Sequence, residues 1–177
     1  MRAMMNNQTL RDIEDAKRVY RESYQRLQQL YTDVDMTLCQ LQDSPDLTSH
    51  LSAYLLLRSC SHVELSFQQS VYCYVRNRSH RHVANLLVNK IFSTGFNPKP
   101  KRITELLLKL NNETGEAFDQ YLDDDSHDNN YKNLLDNMVQ KRNNIAHGQR
   151  YTSSFQNTIP YYSMSLDVAE WLFNHLT

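Results

Sequence analysis

The sequence predicts an all-α protein, a helical bundle built on two long antiparallel helices plus several shorter ones. Three observations predict it. The 177 residues include only three glycines and four prolines, whereas an all-β domain needs turn residues about every 8–12 positions. Apolar residues recur at helical spacing through most of the chain, first at every seventh position and later at i, i+3 and i+4. Charged residues make up 22% and AVILMFWYC 40%, a balance that buries a core and separates the chain from disordered tails. No internal repeat or linker divides residues 1–177, so one domain is expected.

The first helix reads from Thr9, as its cap, to about Gln42. Ile13, Tyr20, Leu27, Val34 and Leu41 form one seven-residue repeat, with Ala16, Ser23, Leu30, Thr37 and Leu38 filling the second seam position. Such a helix is about 50 Å long. Ser44-Pro45-Asp46 stops it. A second long helix follows over about 47–78, with Ala53, Leu56, Leu57, Cys60, Val63, Phe67, Val71, Tyr74 and Val75 on one broad face. A short turn between two long helices makes them antiparallel neighbours. Ser79 is expected to cap a shorter helix to Phe92, ended by Thr94-Gly95. After the loop at 96–100, Ile103, Leu106, Leu107 and Leu110 give a helix over 101–111, and a short one is expected at 116–122. Asp123-Asp124-Asp125 leads through Asn129-Asn130 into a helix over 131–146, with Gly148 just past its end. Residues 149–164 read as an irregular, tyrosine-rich stretch, and Ser165 as the cap of a last helix.

Several classes drop out. A net charge of −1 means that overall basicity does not mark a nucleic-acid binder, although local patches remain open. Cys39, Cys60 and Cys73 are an odd set without a CxxC spacing, which argues against a disulfide framework or a zinc site. His80 and His82 bracket Arg81 with no further ligand at metal spacing, and His50, His127 and His175 join no constellation. The acidic run at 123–125 with Asp128 lacks the glycine and spacing of a calcium loop and reads as solvated. No metal or cofactor is expected. The stretches 53–57 and 83–88 fall far short of the ~18 apolar residues of a membrane span. No apolar secretory segment opens the chain. A soluble, cytoplasmic protein without a membrane partner is expected.

Two ionisable residues interrupt apolar stripes. On the helix ending LLDNMVQKRNNIAHG, Tyr131, Leu134, Leu135 and Ile145 lie within about 60° of Met138, and Arg142 lies about 40° from it. A guanidinium cannot neutralise itself, so it needs an anion or an open seam. Glu64 supplies a candidate anion, because it falls inside the stripe made by Cys60, Val63, Phe67 and Val71. The pair is expected to meet in a polar cluster inside the bundle, either as a register-fixing ion pair or as part of a working site. Asn143 and His147 are an i, i+4 pair, neighbours on one helix face. Arg142 stands about 140° from His147 and is expected to reach it round a frayed last turn. A basic last turn followed by glycine also describes an ordinary helix end. Arg58 and His62, another i, i+4 pair, read as exposed.

The stretch Arg142-Asn143-Asn144-Ile145-Ala146-His147-Gly148 resembles the signature of the HEPN superfamily: Arg, a polar residue, then His after a short gap on the penultimate helix. Glu64 within Ser61-His62-Val63-Glu64 is similar to the acidic residue of its RiboL-PSP-HEPN-like branch, as are Asn97-Pro98 before Ile103-Thr104-Glu105-Leu106-Leu107 and the tyrosine-rich loop before a short last helix. The resemblance spans about residues 45–176. It implies a metal-independent endoribonuclease of toxin or antiviral-defence systems, dimeric with the motif at the interface. It equally covers inactive dimerisation or RNA-binding partners.

In that chemistry His147 transfers protons, Arg142 stabilises charge on the pentavalent phosphorus and Asn143 positions a phosphate oxygen or the imidazole. Glu64 supports Arg142. The implied products are a 2′,3′-cyclic phosphate and a 5′-hydroxyl. RNA would be gripped by Arg76, Arg78, His80, Arg81 and His82, by Lys99, Lys101 and Arg102, and by Lys141 and Arg150. Tyr151, Tyr161 and Tyr162 are either base-stacking residues or half-buried packing residues. The partners expected are RNA, a second copy of the chain and, for a restrained toxin, an antitoxin or defence-system protein.

Overall fold

The structure is a computed structural model that describes residues 7–40, 44–93, 95–127 and 130–177. Leu41 and Gln42 of the first helix, Thr94, and Asp128 and Asn129 of the acidic loop lie outside the described residues. Seven helices account for nearly all of what is described: α1 Asn7–Gln40, α2 Pro45–Arg78, α3 Arg81–Phe92, α4 Pro100–Leu110, α5 Asn112–Leu122, α6 Tyr131–Ala146 and α7 Ile159–Leu176. The all-α expectation holds.

The seven-residue repeat of α1 does what its spacing dictates: Ile13, Tyr20, Leu27 and Val34 are all buried. They meet an opposing repeat on α2 that the sequence reading overlooked because it is not apolar. Ser52, Ser59, Ser66 and Cys73, seven residues apart, are buried too. Small side chains there let the two long helices approach closely. Ile13 packs on Cys73, Ser23 meets His62 and Leu27 packs with Leu55, so numbers rise on one helix as they fall on the other. The helices are antiparallel.

Helix α2 is therefore buried on more than the one face expected. Its apolar stripe, Leu56 through Val75, enters the main core with Leu135 and Met138 of α6 and Met164, Val168 and Leu172 of α7. Its serine face meets α1. His62 lies on that second side and is 2% exposed, which corrects the expectation of an exposed Arg58–His62 pair. Its Nδ1 is 2.9 Å from the Ser23 hydroxyl, and its ring stacks at 6.0 Å on Tyr20.

Three helix starts differ from the sequence expectation. Ser79 ends α2 by donating to the Val75 carbonyl at 2.8 Å, and His80 caps α3. Helix α5 begins at Asn112 rather than 116, because Asn111 accepts the Thr114 N–H at 3.2 Å. Gly115 fits its first turn, since a Cβ there would stand 2.6 Å from the Leu108 backbone nitrogen on α4. Helix α7 begins at Ile159, with Pro160 in its first turn where a missing N–H costs nothing. Ser165 is consequently a buried mid-helix residue whose hydroxyl donates to the Tyr162 carbonyl. Among the described residues no helix is long and apolar enough to cross a membrane.

Candidate active site

Asn130 opens α6 by accepting the Asn133 N–H at 2.9 Å. Leu135, Met138 and Val139 fix the helix to the core, and that seating aims Arg142, one turn beyond Met138, at α2. There its Nη2 lies 3.6 Å from Glu64 Oε2. Its Nη1 donates to Asn143 Oδ1 at 3.0 Å, and the Cys60 thiol, one turn before Glu64, feels the charge of the same guanidinium. Burial pushes the Cys60 thiol up, against the pull of Arg142, so the thiol stays protonated.

The second carboxylate oxygen of Glu64 accepts the Phe96 N–H at 3.0 Å. Phe96 is buried against Phe67 and Phe92, at 5.1 and 5.0 Å between ring centroids. Gly95, at φ 77°, turns the chain into this position. Glu64 thus ties the α3–α4 loop to the guanidinium of α6. The two misfit charges do meet, at a shallower depth than the expected cluster inside the bundle. Their side chains are 29% and 30% exposed, so the cluster is a seam at the surface between α2, α6 and the loop. Burying both charges fully would cost several kcal/mol per ion, and the seam avoids most of that.

His147 is placed differently. It is the C-terminal cap of α6 and its side chain is exposed. The last turn is not frayed. Gly148, at φ 81°, donates to the Ile145 carbonyl at 2.9 Å and Gln149 donates to the Asn144 carbonyl at 2.9 Å, the double closure of a Schellman end. That closure fixes Arg142 and His147 on different sides of the helix, and no hydrogen bond joins them. The structure brings together Arg142, Asn143 and Glu64, and leaves His147 at the tip.

The basic segments divide. Arg76 is 7% exposed and donates from Nε to Asp12 at 2.9 Å. It is a structural residue rather than the RNA contact expected of it. Arg81 stands 3.7 Å from the same carboxylate, and Arg78 lies 3.7 Å over the Tyr74 ring. All three sit three turns or more along α2 and beyond from Glu64. Lys99 faces Asp136 at 3.8 Å, Lys101 faces Glu105 at 3.9 Å, and Arg150 pairs with Asp46. Arg102 lies 4.8 Å over the Phe96 ring, one residue removed from Glu64. Lys141 points at Ser153 and lies 5.6 Å over the Tyr151 ring. Tyr151 itself is buried, with its hydroxyl 2.8 Å from that of Thr158, and Tyr161 is buried in the core. Neither ring is open to stack on a base. Tyr162 stacks at 4.4 Å on Tyr31. Among the described residues no group of three His, Cys, Asp or Glu side chains is gathered to hold a metal ion.

Fold and seam together define an all-α bundle presenting an arginine–carboxylate pair beside the closed tip of its penultimate helix. The RiboL-PSP-HEPN family model matches residues 18–177, and the chain belongs to that family. No curated protein and no solved structure gives a match.

Proposed function

We propose that this protein is a metal-independent endoribonuclease that works as a homodimer, as a toxin or defence effector. One observation carries the reading. The Arg142 guanidinium is anchored by Glu64 and Asn143 yet remains 29% exposed, so a fixed cation is presented to an incoming phosphodiester. In the reaction the RNA 2′-hydroxyl loses its proton and attacks the adjacent phosphorus. The 5′ oxygen leaves as it gains a proton, giving a 2′,3′-cyclic phosphate and a 5′-hydroxyl. Arg142 stabilises the extra negative charge on the pentavalent phosphorus, Asn143 positions a phosphate oxygen, and His147 moves a proton. Since Arg142 and His147 diverge within one chain, a twofold partner would supply the imidazole that faces this guanidinium. Arg102, Lys141 and the more distant Lys99, Lys101 and Arg150 would hold the RNA backbone.

Cleavage of a labelled RNA in EDTA, wild type against His147→Ala, tests the reading. The expected loss is about 10²–10⁴-fold, with cyclic-phosphate ends in the wild-type products. Activity that vanishes in EDTA, or products bearing 5′-phosphates, would overturn it.

The exposed His147, with no partner among the described residues to fix its ring, favours a second reading. There the chain is a catalytically silent dimerisation or RNA-binding module serving another protein. RNA binding without cleavage, unchanged in His147→Ala, would select it. An antitoxin or defence-system partner belongs to the first reading and should suppress cleavage when added.

A further inference from the structure

At the opposite end of α6 from the arginine, the last turn of α5, the first turn of α6 and the second half of α7 enclose an open cleft of about 290 Å³. Its borders are aromatic. His127 stacks on Tyr131 with ring centroids 3.8 Å apart and planes 3° apart. Trp171 stacks on His175 at 3.8 Å and 11°. Tyr121 joins the two pairs, stacked at 5.4 Å on Trp171 and edge-on to His127 at 5.0 Å. Each histidine is held by a carbonyl, His127 Nε2–H donating to Tyr121 at 3.0 Å and His175 Nδ1–H to Trp171 at 2.8 Å. These rings are fixed before any ligand arrives.

The carboxylates of the cleft stand without a counter-charge from Lys or Arg among its lining residues. Asp167 and Glu170 line it, one turn apart on α7, and both are exposed. Asp167 accepts a hydrogen bond from the Tyr131 hydroxyl. Neither carboxylate has a basic side chain within ion-pair distance among the described residues. Lys132 next to the cleft is engaged by Asp119 at 3.1 Å and Asp123 at 2.6 Å. Burial, reinforced by the charges of Asp167 and Glu170, pushes the Tyr121 hydroxyl up, so the negative field reaches the ring wall.

We propose that this cleft binds a small organic cation through an alkylammonium or guanidinium head. Aromatic faces attract such a group through their quadrupoles, and two carboxylates without cationic partners complete its recognition. The same carboxylates repel an RNA phosphate. A volume near the lower end of the ~300–1,000 Å³ usual for ligand pockets restricts the ligand to a short chain. Tyr131 precedes Arg142 by eleven residues, about 16 Å along the helix axis, so the proposal stands or falls apart from the nuclease reading.

Trp171 is the single tryptophan of the chain, so its fluorescence reports the cleft directly. The full chain is titrated at constant ionic strength with spermidine, with agmatine, and with a capped Gly-Arg-Gly peptide. A saturable change with spermidine or agmatine is expected, weakened about fivefold or more in Glu170→Gln and Asp167→Asn. The melting temperatures of both exposed-residue variants should stay at the wild-type value. The response to spermidine against agmatine assigns the head group. Tighter binding of the peptide than of either amine would move the source from a free amine to a protein side chain. No saturable change, an equal change with sodium chloride, or undiminished binding by Glu170→Gln would overturn the proposal.

Discussion

Two arginine–carboxylate pairs lie about three turns apart on α2, and they differ in what surrounds them. Arg76 and Asp12 are 7% and 5% exposed. Arg76 also donates to the Ser79 carbonyl at 3.0 Å, and Asp12 accepts from Gln8 at 2.8 Å. Desolvation raises the Asp12 pKa, but the bonds from Arg76 and Gln8 and the charge of Arg81 outweigh it and hold the carboxyl below its usual range. Arg142 and Glu64, by contrast, meet at 3.6 Å with nearly a third of each side chain exposed. The first pair is closed off from solvent. The second leaves part of its guanidinium open to a ligand. Identical chemistry thus becomes a staple between α1 and α2 in one place and a presented cation in the other, and burial makes the difference.

The largest expected effect tests the staple. Arg76→Ala leaves the buried Asp12 with only Gln8 and the longer Arg81 contact as partners and should lower stability by about 3 kcal/mol, read by urea denaturation; a loss under about 1 kcal/mol would erase the contrast. Next comes Arg142→Ala, which should cut RNA cleavage by about 10²–10³-fold. Its stability should stay within about 1 kcal/mol of wild type, because a pair with nearly a third of each side chain exposed contributes little. A large stability loss would make both pairs staples.

His62 stands two residues before Glu64, on the α1 side of α2. Burial, reinforced by Arg58, lowers its pKa from 6.5 to about 4. The unfolded chain takes up this proton first. Stability from the neutral ring is complete above about pH 6.5 and is lost as pH falls toward 4, by on the order of 3 kcal/mol. Melting of wild type and His62→Gln at pH 7.5 and pH 5.0 checks it, the variant showing the smaller drop. The smallest effect belongs to Glu64→Gln. It should keep the Phe96 bond, shift stability by under about 1 kcal/mol and reduce cleavage several-fold by loosening Arg142. Unchanged cleavage would separate Glu64 from the site.

Much of this was legible in the order of residues. The apolar repeat of α1, the stripe of α2 and the glycine after α6 each state a local rule that needs no neighbour to operate. The mutual attraction of Arg142 and Glu64 was readable because each violates its own stripe. The serine face of α2 and the burial of His62 were not, since small polar residues carry no apolar period and become interior only when α1 covers them. The roles expected of Arg76 and Tyr151 failed for a related reason: a basic or aromatic side chain reads alike whether a partner waits for it or not.

The sequence by itself determined an all-helical chain, its two long helices, the closed tip at Gly148 and the two charges that would seek each other. Those follow from backbone preference and the periodicity of hydrophobic residues, which are local. Tertiary structure alone decided that one arginine is enclosed and another presented, and that five rings and two carboxylates from α5, the loop after it, α6 and α7 share a cleft. Exposure and convergence belong to pairs of helices, and no single helix contains them.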